Sequence, residues 1–130
     1  MAFKEDNVVK SQDLDKLIGT WVWKESSGGF TGQLTTPSTA GYIKTIKFKK
    51  NGIYKIYKNG KLNGKMRFTL AHGTSIYKKG KVSIIKYKDI RYFVNTNDLI
   101  TESYEFGGED TLIISEECYD CFTHIFIRQK

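Results

Sequence analysis

Hydrophobic and polar residues alternate with a period of two over most of the chain. Residues 19–24 put Trp21 and Trp23 on one face. Residues 42–49 set Ile46 and Phe48 against Lys47 and Lys49, and residues 53–58 place Tyr54 and Ile56 together. Residues 61–70 align Leu62, Met66, Phe68 and Leu70. Further strands are predicted at 75–78, 82–88, 90–94, 99–106, 111–115 and 122–128, with a loop at 71–74. Asn51-Gly52 and Asn59-Gly60 are strong hairpin turns, and Gly64 marks a bulge unless Asn63-Gly64 is itself the turn.

Two segments break the pattern. Ser11 is a good N-cap, Asp13 and Asp15 follow it, and Leu14, Leu17 and Ile18 fall three to four apart. This spacing predicts one or two helical turns over 12–17, behind a flexible tail at 1–10. Residues 27–41, rich in Gly, Ser and Thr, read as a long loop. Residues 11–130 then form one all-β domain: an antiparallel up-and-down β-barrel of about eight strands with a short N-terminal helical turn. Closure of such a sheet removes its edges.

Composition agrees with one ordinary domain of 130 residues, with eight Tyr, eight Phe, two Trp and a single proline, Pro37. No run of about 18 apolar residues exists, so no transmembrane segment is predicted. The formal charge of +7 is split. Residues 44–88 hold fourteen Lys and Arg and no acid; residues 89–130 hold nine acids and three bases. The lysines alternate with apolar residues, which reads as a solvated outer face. Tyr42, Tyr57, Tyr77 and Tyr87 offer stacking rings beside it, but nucleic acid is not expected as a partner. Such a flank can still attract anionic ligands, lipid head groups or an acidic partner.

Leu17-Ile18-Gly19-Thr20-Trp21, after a helical turn, resembles the Gly-x-Trp signature of the lipocalin and calycin superfamily, and Arg128 on the last strand resembles its second mark. The chain is similar to small bacterial lipocalin-like domains, many of them exported lipoproteins. It is shorter than typical secreted lipocalins and lacks their C-terminal helix. The resemblance implies that Gly19, Trp21 and Arg128 close one barrel end, and that an apolar pocket lies at the other.

The candidate pocket residues are Trp23, Phe48, Tyr54, Ile56, Met66, Phe68 and Tyr104, with a side-chain-filled core as the competing reading. Phe30 and Leu34 in the 27–41 loop either cap a pocket or pin the loop. The expected function is non-enzymatic binding of a small hydrophobic or amphiphilic molecule. The alternative is a cell-envelope interaction module with a filled barrel, acting through its surface.

Cys118-Tyr119-Asp120-Cys121 flanks a turn and reads first as a disulfide, Cys118 with Cys121, or as two inert thiols. The spacing Cys-x2-Cys-x2-His to His124 is a weaker metal pattern, because four ligands are usual. A redox pair needs a helix N-terminus that is not predicted here. His124 shares a face with Phe122 and Phe126 and reads as packed before it reads as a haem ligand. No metal or cofactor is assigned. No catalytic motif occurs, the pairs Glu109-Asp110 and Glu116-Glu117 read as solvated turn acids, and no enzyme is expected. The polar N-terminus fits an exported protein without its signal, in the periplasm or cell envelope, or alternatively a cytoplasmic one.

Overall fold

The Asn-Gly turns sit where the alternation places them. In the computed structural model Asn59 (φ 52°) and Gly60 (φ 79°) both take left-handed backbone, the requirement of a two-residue hairpin turn. Asn51-Gly52 makes the preceding turn, where the Gly52 N–H donates to Lys49 O at 3.0 Å. The structure describes residues 13–29, 32–74, 81–89, 100–116 and 121–130.

The described residues hold two short helices and nine strands. Helix α1 covers residues 13–17. The strands are β1 (Gly19–Gly28), β2 (Gln33–Thr35), β3 (Lys44–Phe48), β4 (Ile53–Lys58), β5 (Lys61–Thr74), β6 (Lys81–Asp89), β7 (Ile100–Phe106), β8 (Thr111–Glu116) and β9 (Phe122–Arg128). Strands β3 to β9 pair antiparallel in chain order, and β1 joins β3 on one edge and β9 on the other. This closes an eight-stranded antiparallel barrel, and β2 is an extra strand on the far half of β1. Among the described residues no helix is long and apolar enough to cross a membrane.

Three expectations are corrected. The 27–41 loop is partly structured: β1 runs on to Gly28, and the loop holds β2 and helix α2 (Pro37–Ala40). Thr36 caps α2 in a capping box and Pro37 starts it, which uses the Thr and Pro that had suggested irregular chain. Residues 71–74 are not a loop but the end of β5, paired with β6. Leu62 does not share the inner face of Met66. A bulge lies where Ile56 opposes Gly64 and Tyr57 opposes Leu62, and the extra residue turns Leu62 outward, 55% exposed. The predicted elements at 75–78 and 90–94 lie outside the described residues.

Inward residues of every barrel strand make one core, with Leu17, Trp21, Ile46, Phe48, Ile85 and Leu112 fully buried. Aromatic pairs fill its middle: Phe48 meets Tyr54 at 4.9 Å and Phe68 edge-on at 5.1 Å.

Candidate functional site

The barrel interior has a sealed end and a polar end. At the sealed end the Trp21 indole N–H donates to Leu17 O at 2.9 Å. The Arg128 guanidinium lies 4.2 Å from the Trp21 ring centroid. Arg128 also donates to the carbonyls of Ile18 (3.1 Å) and Lys16, which would otherwise be orphans at the end of α1. Gly19 has φ 134°, and a Cβ there would stand 2.9 Å from the Arg128 Nη1, so glycine is required by both backbone and space. Tyr104 donates to Asp13 at 2.6 Å and ties α1 to the barrel.

Toward the other end, β1 carries a bulge. Trp23 opposes Phe126 but Glu25 opposes Ile125, leaving Lys24 as the extra residue. The alternation flips, so Ser26 rather than Glu25 faces inward and is buried. Ser26 sits opposite His124 on β9 and forms the middle of a relay. The Trp23 indole N–H donates to Ser26 Oγ at 2.7 Å. Ser26 Oγ lies 2.5 Å from His124 Nδ1, and His124 Nε2 lies 2.7 Å from Glu116 Oε2. The network sets the directions: the Ser26 hydroxyl donates to Nδ1, and Nε2–H donates to the carboxylate.

Glu116 stands directly across the ladder from Glu102. Two glutamates opposed on one face repel each other. Among the described residues the only cation facing them in this pocket is Lys44 of β3, which is largely withdrawn from water and lies 5.8 Å over the Phe126 ring. Tyr87 completes the group. Its hydroxyl is fully buried and has no partner at ordinary hydrogen-bond geometry, with the Glu102 carboxyl the nearest acceptor, close enough to act on its ionisation as a long hydrogen bond would. These polar groups share a pocket of about 190 Å³ with Tyr54, Ile56, Met66, Ile114 and Phe126.

Burial dominates the protonation of the site. It raises the Glu102 carboxyl, against the pull of the Tyr87 hydroxyl and Lys44, and the neighbouring Glu116 pushes the same way as burial. It lowers Lys44, against the pull of Glu102 and Glu116. It also lowers His124, against the hydrogen bond to Glu116, so the imidazole is held neutral. Tyr54 and Tyr87 are raised by burial and remain phenols.

Of the residues singled out in the sequence, Tyr54, Ile56 and Met66 line this pocket. Trp23 reaches it through Ser26 and stacks on Tyr42 at 5.6 Å. Phe48 and Phe68 are packed in the core, and the Tyr104 hydroxyl points to α1. Leu34 is 55% exposed and caps nothing; Phe30 lies outside the described residues. Cys118 lies there too, while Cys121 is bridged and not a free thiol.

The polar residues were the ones missed. Lys44 and Glu102 are largely withdrawn from water and Glu116 is half-buried: each continues the inward phase of its strand, two residues from buried Ile46, Tyr104 and Ile114. An ionisable residue at an apolar phase was their signal. It was masked by the abundance of outward lysines and by the closeness of Glu116 to a turn.

This geometry defines a closed antiparallel barrel with a small ionisable pocket at one end, consistent with a calycin-like fold. Compared with protein families, with curated proteins and with solved structures, the chain matches none.

Proposed function

We propose that this chain is a lipocalin-like, non-enzymatic binding protein that takes a small amphiphilic molecule into the pocket beside Glu102 and His124. The observation that carries the reading is the two-sided lining: Tyr54, Ile56, Met66, Ile114 and Phe126 offer apolar contact, while Lys44, Glu102, Glu116 and His124 offer charge and hydrogen bonds. At about 190 Å³ the space is below the usual ~300–1,000 Å³ of drug-sized sites, so the ligand is small rather than a long-chain lipid. The Gly19-Thr20-Trp21 turn under the Arg128 guanidinium supports the lipocalin-like reading. The bridged Cys121 supports an exported location, since disulfides persist in oxidising compartments.

Native mass spectrometry followed by thermal shift against short amphiphiles tests the reading. Small amines, short-chain carboxylates and aromatic alcohols are the probes. A co-purified adduct, or a melting rise that the Met66→Trp pocket-filling variant loses, is the expected result. A bare mass and no shift with any class overturns it.

One observation favours a second reading, a surface module. Outward lysines oppose one another in a row, Lys47 with Lys55 and Lys55 with Lys65, and Arg67 opposes Lys88. Like charges held in register are costly, and an anionic partner on β3 to β6 relieves them.

A further inference from the structure

The polar end of the pocket has the makings of a metal centre. Glu102, Glu116 and His124 each offer one ligand atom, and the three atoms lie within 4.8 Å of one another. An ion about 2.0–2.2 Å from each ligand needs them within about 4.4 Å, a few tenths of an ångström inside the observed limit. The ligands sit on three adjacent strands, β7, β8 and β9, which hold them rigidly.

We propose that Glu102, Glu116 and His124 bind one divalent first-row transition-metal ion, of the Zn²⁺ or Mn²⁺ kind. Glu102 and Glu116 are directly opposed inside the barrel, which brings two carboxyl groups to one point. One observation beyond the cluster points to a ligand: the fully buried Tyr87 hydroxyl, in the same pocket beside Glu102, has no partner at ordinary hydrogen-bond geometry. It is placed to donate to the outer oxygen of that carboxylate, or to a water on the ion. One imidazole with two carboxylates suits borderline divalent ions better than Ca²⁺, which takes six to eight oxygens, or Cu⁺, which prefers sulfur.

The outer partners fit as well. A metal-bound imidazole hands its other N–H to a neighbour that fixes its plane. Ser26 Oγ stands at Nδ1 and has the lone pairs to accept from both Nδ1–H and the Trp23 indole. Loading therefore moves the imidazole proton from Nε2 to Nδ1 and reverses one hydrogen bond, with no net proton lost from the ring. Lys44 is the competitor. Its ammonium, 5.8 Å over the Phe126 ring, offsets the glutamates that an ion would otherwise neutralise. The site needs no organic ligand, so it stands or falls apart from the amphiphile reading.

The test is calorimetric titration of the chelator-treated, oxidised full chain with Zn²⁺, Mn²⁺ and Co²⁺, each alone. One ion per chain is expected. E116Q and H124Q should weaken binding about 100-fold, S26A about ten-fold, and K44Q should tighten it several-fold. Paramagnetic broadening by Mn²⁺ gives a readout that needs no variant: the His124 ring signals should vanish at one equivalent while those of His72 remain. No heat up to millimolar ion, or equal broadening of both histidines, overturns the proposal. A melting rise with an amphiphile but none with an ion would remove the metal site and leave the pocket reading intact.

Discussion

Trp21 and Trp23 are two residues apart on one strand and both are buried, yet they anchor opposite regimes. The Trp21 indole spends its N–H on a backbone carbonyl and its face on Arg128, and everything around it is satisfied. The Trp23 indole starts a chain of side chains, through Ser26 and His124 to Glu116, that ends near an unpartnered Tyr87 and two opposed glutamates. The first end is what a barrel needs to close. The second is what closure alone does not require. Buried polar groups without full pairing destabilise a fold, and here they gather at one end, the end to which the proposed function is assigned.

The largest expected effect is at the sealed end. Trp21→Ala should cost about 3–5 kcal/mol, within the range for large aromatic truncation, and leave most of the chain unfolded in a urea titration. A loss under about 1 kcal/mol would show that the two ends are not as different as described. Next comes Ser26→Ala, which strands the Trp23 N–H and His124 Nδ1 together. About 1–3 kcal/mol is expected by the same titration. A neutral result would mean that the relay is dispensable to the apo fold.

Tyr87→Phe should go the other way. It deletes a buried hydroxyl that has no partner at ordinary hydrogen-bond geometry, only the Glu102 carboxyl nearby, so the variant should match the native protein or gain up to about 1 kcal/mol. A clear loss would reveal a hydrogen bond that the geometry does not show. The smallest change is one of slope. Burial raises the Glu102 carboxyl in the native state, so its contribution to stability is present below the ordinary value of 4.5 and is lost as pH rises through the raised native value. Glu102→Gln does not titrate. Relative to the parent, the metal-free variant should therefore gain stability as pH climbs from 4.5, and equal gains at every pH would contradict this.

Much of the barrel was legible because its strands obey period two and its turns carry Asn-Gly. Trp21, Tyr54, Phe68 and Leu112 alternate cleanly, and the structure buries them all. The alternation breaks where one residue is inserted into the count. The bulge at Lys24 puts Ser26 rather than Glu25 inside, a point on which the sequence is silent, and the bulge beside Gly64 turns Leu62 out against the expectation. No propensity announces a bulge at Lys24; only the partner strand defines it. The site was half legible. Tyr54, Ile56 and Met66 are legible from their apolar phase, whereas Lys44, Glu102 and Glu116 are not, because most charged residues on barrel strands and turns point to water. Burial of charge is settled by neighbours far along the chain, and those are visible only once the barrel is closed.

The seam between β1 and β9 has a consequence for how the molecule is made. Arg128 reaches Ile18 O across 110 positions, and β1 has its second edge covered only by the last strand. During synthesis the first strand therefore waits, with one row of backbone groups unpaired, until β9 has left the ribosome. The barrel cannot close in pieces from β1 onward. Its closure is a long-range event with a high loop-closure cost, and an open edge is exposed to wrong partners until β9 arrives.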